Sequence, residues 1–144
     1  MSDKSINEYL AHLLVQANRQ VNRQLSLEGV SLEQWRALKV IYEQAGLTMR
    51  ELARSLAQNN PTLTKIIDKM VSEALVYRLP DQVDRRKVRL FISDKGRSVL
   101  QQQDERVADH QGKMEDVYGS AQTQQLKAML ELLIAQGEDD ERAG

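Results

Sequence analysis

The chain has no cysteine, and this absence removes several kinds of chemistry at once. Without thiols there can be no disulfide, no cysteine-based zinc knuckle, no thiol nucleophile and no cysteine redox sensor. The chain also lacks any apolar run near the roughly 18 residues that a membrane helix needs. Asp3, Lys4 and Glu8 interrupt the segment in which a signal peptide would need apolar residues. We therefore expect a cytoplasmic protein that does not contact a membrane.

Residues typical of enzyme active sites are equally scarce. His12 and His110 are the only histidines, and neither belongs to a His-x-x-x-His or Glu-x-x-His pair. The sequence contains no Ser-His-Asp set, no phosphate-binding glycine-rich loop and no dinucleotide fingerprint. The acidic run at residues 139–141 belongs to a C-terminal tail. We expect no metal site, no cofactor and no enzymatic activity.

What the chain does contain is an uneven distribution of charge behind a formal net charge of −1. Residues 1–46 hold five basic and five acidic side chains. Residues 47–97 hold eleven basic and six acidic side chains, whereas residues 98–144 hold four basic and ten acidic ones. A basic middle between a neutral and an acidic arm is typical of a segment that contacts nucleic acid. The alternative is an unevenly charged surface with no partner.

Hydrophobic periodicity and turn residues divide the chain into helices and one hairpin. The predicted elements are helices over residues 5–27, 31–44, a short stretch after Thr48, 61–74 and 94–118, strands over 75–79 and 88–92, and, after a break at Gly119 and Ser120, a last helix ending near Gly137. Pro80 suits the end of a strand. Residues 138–144 form an acidic tail that we expect to be disordered.

Side chains that can cap helices stand at the predicted helix starts. Ser31, Thr48 and Ser93 can each accept a hydrogen bond from a backbone N–H of the first turn. Asn60 is the expected N-cap of the fourth helix. Pro61 would then take the first helical position, where its missing N–H costs no hydrogen bond.

A short helix, a turn and a second helix form the helix-turn-helix pattern, and the basic hairpin directly after it indicates a winged helix. The start of the second helix would lie in the major groove over base edges. Arg54 joins Arg50 and Lys69 as a candidate for phosphate contacts, which position a protein without reading sequence. The alternative for these cations is a solvated surface. The candidate DNA-contact residues are Arg50, Asn59, Asn60, Pro61, Thr62, Thr64, Lys65, Lys69, Asp84, Arg85, Arg86 and Lys87.

The sequence resembles the MarR family of transcriptional regulators over residues 6–137. The hairpin tip at residues 84–86, with the strand and turn at residues 88–96, is similar to the wing signature of that family. Residues 48–53 resemble its first helix-turn-helix element, and residues 61–70 resemble its recognition helix. The combination in this order is much more specific than any single motif.

The resemblance implies a role for each residue of the hairpin tip. Arg86 would enter the minor groove, which attracts arginine where it is narrow. Asp84 would hold Arg86 in place through a charge-assisted bond. Arg85 and Lys87 would lie near phosphates. The residues that would face the major groove are Thr62, Thr64 and Lys65.

The resemblance also implies the fold class and the assembly. The fold would be mainly α with a small β-hairpin wing, as one MarR-type domain over residues 1–144. A winged helix-turn-helix lobe over residues 31–93 would be joined to dimerisation helices over residues 5–28 and 94–137. The apolar stripes of the first and last helices independently favour an obligate homodimer. Such a dimer would bind a pseudo-palindromic operator in double-stranded DNA, with half-sites about one helical turn apart, and we expect a repressor.

An effector and two other functions complete the expectations. Family members commonly release DNA when a small, often aromatic or phenolic ligand binds between the dimerisation helices and the winged helix. Trp35, with His12 and Asn18 on the first helix, would line such a pocket; alternatively, Trp35 is a core residue that bridges the two parts. The chain could otherwise be a winged-helix module for protein interaction, or a helical dimerisation protein with an incidental basic loop.

Three positions depart from the family pattern. Ala74 stands where the family usually has glycine at the end of the recognition helix. Because glycine adopts the left-handed conformation without steric cost, we expect this turn to be built differently or to carry mild strain. Ser93 replaces the usual threonine and preserves the cap. Gln58 replaces an apolar residue of the turn.

Overall fold

The computed structural model describes the backbone of residues 6–143 and the side chains of residues 9–143. Ser5, where the first predicted helix begins, and Gly144, where the predicted tail ends, lie outside these residues, as does the side chain of Ile6. Within them the chain forms six helices and three short strands. In order these are α1 (Ile6–Leu27), α2 (Leu32–Glu43), β1 (Leu47–Thr48), α3 (Met49–Leu56), α4 (Asn60–Ser72), β2 (Val76–Pro80), β3 (Val88–Ile92), α5 (Asp94–Tyr118) and α6 (Ser120–Ala143).

Local side chains set most helix boundaries where they were predicted. The hydroxyls of Ser31, Thr48 and Ser93 accept hydrogen bonds from the N–H three residues ahead, at 3.4, 3.2 and 2.9 Å. Gly29 follows α1 with φ at +82°, a left-handed conformation that closes the helix. The predicted caps of α2, α3 and α5 are therefore confirmed.

Helix α4 begins one residue earlier than predicted. The N-cap is Asn59 and not Asn60: its backbone is extended, with φ −79° and ψ 154°, and its Oδ1 accepts from the Thr62 N–H at 3.0 Å. The end of α3 decides between the two asparagines, because α3 closes at Ala57 with φ at +51° and leaves one residue before the cap. Pro61 takes the second helical position, where its missing N–H still breaks no helix hydrogen bond.

The first hairpin strand lies one residue further along than predicted, at Val76–Pro80. Leu75 is not part of it because the Leu75 N–H closes α4 by donating to the Met70 carbonyl oxygen at 2.9 Å. Pro80 completes the strand opposite Val88. A proline is tolerated there because it is the last residue of an edge strand.

The prediction of a disordered acidic tail is wrong for the residues described, since α6 continues through Gly137 to Ala143. A glycine inside a helix costs only about 1 kcal/mol relative to alanine, which does not by itself end the helix. Apart from its chain neighbours and the backbone of its own helix, no described atom lies within 4 Å of where a Cβ would stand at Gly137. Arg142 in the last turn suits the negative end of the helix dipole.

A third strand, which was not predicted, completes an antiparallel sheet in the order β1, β3, β2. It consists of Leu47 and Thr48 alone, paired with Leu90 and Arg89 of β3. Two residues are too few to show the alternating pattern of a strand. The added strand fixes one side of the hairpin to the turn after α2.

The core lies between α2, α3, α4 and the sheet. On α4, Leu63, Ile67 and Met70 are fully buried at helical spacing, and each such burial contributes roughly 1.5–3 kcal/mol relative to exposure. With that face fixed inward, the opposite face of α4 is held at the surface. The buried core cluster consists of Ala37, Leu38, Ile41, Leu47, Leu52, Leu56, Leu63, Ile67, Met70, Leu75, Val76, Leu90, Ile92 and Leu100.

The chain divides into two compact units, one extending through Arg106 and the other starting at Val107. In the first unit, the helix-turn-helix and hairpin have their own core. In the second unit, α6 buries none of its residues. No described helix combines the length and apolar character needed to span a membrane. The predicted fold class, mainly α with a small hairpin wing, is confirmed.

Candidate nucleic-acid interface

The exposed start of α4 presents short polar side chains. Oδ1 of Asn59 is occupied as the helix cap, so its amide NH₂ group remains free to donate. The Thr64 hydroxyl donates to the Asn60 carbonyl oxygen at 2.8 Å. In the described part of the chain the Asn60 side chain has no hydrogen bond, so it keeps both the donor and the acceptor that adenine requires. The remaining exposed residues of this start are Pro61 and Thr62.

Exposed cations stand in pairs on α3 and α4. Arg50 and Arg54 are four residues apart on α3, and Lys65 and Lys69 are four apart on α4. Residues at this spacing share one face of a helix. Each pair therefore forms a short basic row on the surface of the helix-turn-helix.

The wing tip, residues 81–87, is held by hydrogen bonds within its own loop. The Asp81 N–H donates to the Lys87 carbonyl oxygen at 2.9 Å, and the Lys87 N–H donates to the Asp84 carbonyl oxygen at 3.0 Å. Asp84 Oδ1 accepts from the Arg86 backbone N–H at 3.1 Å and from Arg86 Nε at 3.4 Å. The Arg86 side chain is 94% exposed, so Asp84 fixes its backbone and leaves the guanidinium accessible.

A better-shielded ion pair, which was not predicted, joins the wing tip to the sheet. Arg89 Nε donates to Asp81 Oδ1 at 2.7 Å, and Arg89 Nη1 donates to the Gly46 carbonyl oxygen at 2.8 Å. The Asp81 side chain is only 16% exposed, and its Oδ2 accepts from the Asp84 N–H at 2.9 Å. The Asp84 amide, followed by the Arg89 guanidinium, lowers the pKa of Asp81 from 3.8 to about 2. The signal for this pair in the sequence was that a carboxylate, Asp81, and an arginine, Arg89, flank the basic tip on opposite sides.

A cleft of about 630 Å³ lies between α3 and the wing tip. Arg50 and Arg54 line it from α3, and Arg86 and Lys87 line it from the wing. Glu51 also lines it, and its carboxylate accepts a hydrogen bond from the Thr48 hydroxyl at 3.2 Å. The fold thus brings together two groups of predicted contact residues that are more than thirty positions apart in the sequence.

The wing base, residues 74–75 and 93–96, is built by close approach of backbone. Ala74 adopts the left-handed conformation at φ +60°, so the turn keeps the shape that glycine would give it and carries strain of roughly 1–2 kcal/mol. Ser93 Oγ donates to the Ala74 carbonyl oxygen at 2.6 Å. A Cβ at Gly96 would lie 2.2 Å from the Leu75 carbonyl oxygen, so glycine alone fits there.

These contacts divide the eleven basic residues of segment 47–97 into three groups. Three have structural partners: Arg78 pairs with Asp68 on α4, Arg89 pairs with Asp81, and Lys95 Nζ donates at 2.8 Å to the carbonyl oxygen that follows α4. Arg86 has the long contact with Asp84. Those with neither an ion pair nor a side-chain hydrogen bond among the described residues are Arg50, Arg54, Lys65, Lys69, Arg85, Lys87 and Arg97.

Trp35, predicted to line an effector pocket, connects α2 with α5. Its Nε1 donates to Asp104 Oδ1 at 2.8 Å, and Lys39 Nζ lies 3.1 Å from the same oxygen and 5.4 Å from the centre of the ring. His12 and Asn18 are exposed on α1. Trp35 therefore bridges two elements, and a ligand pocket at these three residues stays a prediction.

Known sequences resemble the lobe that carries this interface. The sequence model of the MarR family matches residues 30–88. The chain is 27% identical over 106 residues to the HTH-type transcriptional regulator FarR of Neisseria gonorrhoeae, covering 74% of this chain and 73% of that protein. It is 27% identical over 105 residues to the homoprotocatechuate degradative operon repressor of Escherichia coli, covering 73% and 71%.

Solved structures match nearly the whole chain. The transcriptional repressor CouR bound to a 23-mer DNA duplex superposes with a TM-score of 0.82 at 22% identity, covering 93% of this chain and 98% of that one. The PcaV transcriptional regulator from Streptomyces coelicolor in complex with its natural ligand gives a TM-score of 0.79 at 17% identity, covering 96% and 98%. At these identities the likeness shows the fold.

Proposed function

We propose that the chain, which matches the MarR family of transcriptional regulators in sequence and in fold, is a dimeric repressor released from DNA by a small, aromatic or phenolic ligand. The start of α4 would read base edges in the major groove of a pseudo-palindromic operator. Arg86 would enter the adjacent minor groove. The similar proteins of known role are named as regulators of transcription, which supports a role without catalysis.

The observation that carries the proposal is the meeting of unpaired cations at the cleft between α3 and the wing tip. Arg50, Arg54 and Lys87 line it and have no ion pair among the described residues. Cations that neutralise phosphates release counterions from DNA, which supplies most of the affinity that does not depend on sequence. A cleft walled by cations on both sides suits a strand of the DNA backbone.

The start of α4 supports base readout next to this phosphate contact. Asn60 retains a free donor and acceptor, and the methyl groups of Thr62 and Thr64 are suited to contact with a thymine methyl. Lys65 follows on the exposed side of the helix. Because Leu63 and Ile67 are fully buried, these side chains are presented by a rigid helix.

Exposed apolar side chains on two helices support the dimer. On α6, Leu126, Met129, Leu133 and Ile134 recur at helical spacing and are 48–67% exposed. On α1, exposed apolar residues include Leu13. Apolar stripes of this length in water mark a surface that another chain covers. A second copy of the chain would bury both stripes.

Similar proteins support the proposal of repression and of release by a ligand. The homoprotocatechuate degradative operon protein of Escherichia coli is a repressor, and CouR is a transcriptional repressor bound to a DNA duplex. PcaV was solved with its natural ligand. For this chain, His12, Asn18 and Trp35 are the residues proposed to line the ligand site.

DNA binding is tested by anisotropy of a labelled duplex taken from beside the chain's own gene, titrated between 50 and 200 mM salt (roughly the range over which counterion release is measured). We expect affinity to fall steeply with salt and to be weaker for a scrambled duplex. Arg86→Ala should lower specific affinity about 10- to 100-fold, equivalent to about 1–3 kcal/mol. Addition of phenolic acids should release the operator duplex.

The matched control is Arg142→Ala, which removes the same side chain and charge from the end of α6. It should leave operator affinity unchanged. Weak, salt-insensitive association with every duplex would favour a protein-interaction module instead. A monomer in sedimentation would contradict the dimeric repressor. An unchanged specific affinity in Arg86→Ala would contradict the minor-groove assignment.

A further inference from the structure

A continuous series of hydrogen bonds runs from the turn after α2 to the backbone of Arg86. The Gly46 carbonyl oxygen accepts from Arg89 Nη1 at 2.8 Å, and Arg89 Nε donates to Asp81 Oδ1 at 2.7 Å. Asp81 Oδ2 accepts from the Asp84 N–H at 2.9 Å, and Asp84 Oδ1 accepts from the Arg86 N–H at 3.1 Å. Each link uses a different atom, so the four bonds can exist together.

We propose that Arg89 and Asp81 are positioning residues, which hold Arg86 at the angle needed for DNA without touching the duplex themselves. The proposal rests on the proposed DNA-binding function. Gly46 belongs to the turn between α2 and β1, on the side of the sheet away from β2. The series therefore fixes the position of the wing tip relative to the helix-turn-helix lobe.

The geometry favours Arg89 as the hub of this series. A guanidinium that donates to a carboxylate and to a carbonyl through two different nitrogens has its orientation fixed at both ends. Asp81 is the least exposed partner of the wing-tip ion pairs, at 16%, against 39% for Asp84. The Asp84 amide and the Arg89 guanidinium lower the pKa of Asp81 to about 2, which is what carboxylate oxygens that accept these hydrogen bonds should show. Asp84 has only a long contact to the Arg86 side chain, so its hold on Arg86 depends on the backbone that Asp81 fixes.

An electrostatic role and a positioning role for Asp81 predict opposite effects of Asp81→Ala on DNA binding. Asp81→Ala removes a negative charge close to the proposed DNA surface, and electrostatics alone would then strengthen binding to phosphates. If Asp81 positions Arg86, the same substitution weakens binding because the tip loses its hydrogen bond to Arg89. We expect about tenfold weaker operator binding for Asp81→Ala, within the range of coupling between residues in contact.

The proposal is tested first on the free protein by amide hydrogen exchange. In Asp81→Ala and in Arg89→Gln, the amides of Asp84 and Arg86 should exchange at least about fivefold faster, since local opening of the tip becomes easier. Gln82→Ala is the matched control, because Gln82 is an exposed neighbour in the same loop and has no hydrogen bond among the described residues. Unchanged exchange in both variants would overturn the proposal whether or not the protein binds DNA.

The second test is a double-mutant cycle in operator affinity. In the Arg86→Ala background, Asp81→Ala should cause less than about a twofold further loss, because the residue that it positions is gone. In the Lys87→Ala background it should still cause the full loss of about tenfold. A general loosening of the wing would reduce affinity equally in both backgrounds.

The outcomes separate the two levels of the proposal. If wild-type protein binds no duplex, the proposed function fails, while hydrogen exchange still decides whether the series orders the tip. Tighter operator binding by Asp81→Ala, or equal losses in the two backgrounds, would overturn the positioning role and leave the proposed function standing. Arg89→Lys provides the conservative comparison: it retains the charge and one donor group, so we expect its loss to be smaller than that of Arg89→Gln.

Discussion

The two ends of the wing are built in contrasting ways. At its base, a Cβ on Gly96 would meet the Leu75 carbonyl oxygen at 2.2 Å, and the Ser93 hydroxyl and the Lys95 ammonium donate to backbone carbonyl oxygens. At its tip, Val83 is 96% exposed and Arg86 is 94% exposed, and the loop is held by carboxylates. The base depends on shape, whereas the tip depends on charge.

This difference indicates where each kind of change will be felt. A change of volume at the base moves the whole wing, since the base joins α4, the hairpin and α5. A change of volume at Val83 or Arg86 of the tip meets only solvent, but a change of charge at the tip alters both the internal bonds and the proposed contact with DNA. Substitutions at the two ends should therefore affect different measurements, namely stability at the base and DNA affinity at the tip.

The largest effect is expected for Gly96→Ala at the base. The added Cβ would lie 2.2 Å from a backbone oxygen and 2.8 Å from Ile92 Cγ1, and the backbone cannot yield cheaply. We expect the free energy of unfolding in urea to fall by about 3 kcal/mol, the upper part of the usual cost of overpacking. Gly112→Ala on the same helix is the control. Apart from its chain neighbours and its own helix backbone, no described atom lies within 4 Å of that Cβ, so the substitution should stabilise by about 1 kcal/mol. Equal effects of the two substitutions would show that steric fit at Gly96 does not determine the stability of the base.

At the tip, Lys87→Ala should change DNA affinity and leave stability alone. Lys87 is exposed, lines the cleft and has no ion pair among the described residues. On the proposed function, the slope of log affinity against log salt should fall by about 1 for each phosphate that is no longer neutralised, hence by about 2 for a dimer. Urea unfolding should shift by less than about 0.5 kcal/mol. If Lys87→Ala instead caused a large loss of stability and left the salt slope unchanged, the tip would contribute to stability and not to DNA affinity, contrary to the comparison with the base.

A smaller gain is expected for Ala74→Gly at the base. Ala74 holds a left-handed conformation at φ +60°, which costs a non-glycine residue roughly 1–2 kcal/mol, partly offset by the greater flexibility of glycine in the unfolded chain. We expect stabilisation of about 0.5–1 kcal/mol in urea unfolding. Ala108→Gly, in the exposed interior of α5, should instead destabilise by about 1 kcal/mol. Destabilisation by Ala74→Gly would mean that the strain in this turn is smaller than the entropic cost of glycine in the unfolded chain.

The smallest effect is expected from acid, and it should be confined to the tip. The pKa of Asp81 is lowered to about 2 in the folded protein, so its stabilising effect is complete above its ordinary value of 3.8 and disappears as the pH falls through about 2. The difference in stability between wild type and Asp81→Asn should be constant above about pH 5 and shrink towards pH 2. The Ser93 and Gly96 contacts contain no group that titrates there, so base variants should show no such trend. A difference that grows on acidification would contradict the sign of this shift.

Local chemistry made much of the fold predictable. The caps Ser31, Thr48 and Ser93 act on backbone groups within three residues, so their effect can be recognised without the tertiary structure. The choice of Asn59 over Asn60 was different, because it depends on where the previous helix ends. That end is the left-handed Ala57, and alanine gives no sign of it because alanine is the strongest helix former.

The candidate interface was predictable as a set of charges but not in its connections. Arg86 and Lys87 could be named because the basic tip is contiguous in the sequence. Arg89 could not be assigned a partner, since its link to Gly46 spans 43 positions and depends on β1, a strand of two residues. Its structural role emerges only when strand pairing brings the tip, the short strand and the turn after α2 together.

The bond between Trp35 and Asp104 gives the molecule a built-in optical reporter. Trp35 is the only tryptophan, so all indole emission comes from the junction of α2 and α5. The carboxylate at 2.8 Å and the Lys39 ammonium 5.4 Å from the ring centre place two charges beside the chromophore. Any event that separates α2 from α5 must change the electric field at the indole. The wavelength of maximum tryptophan emission should therefore shift, and no added label is needed to measure it.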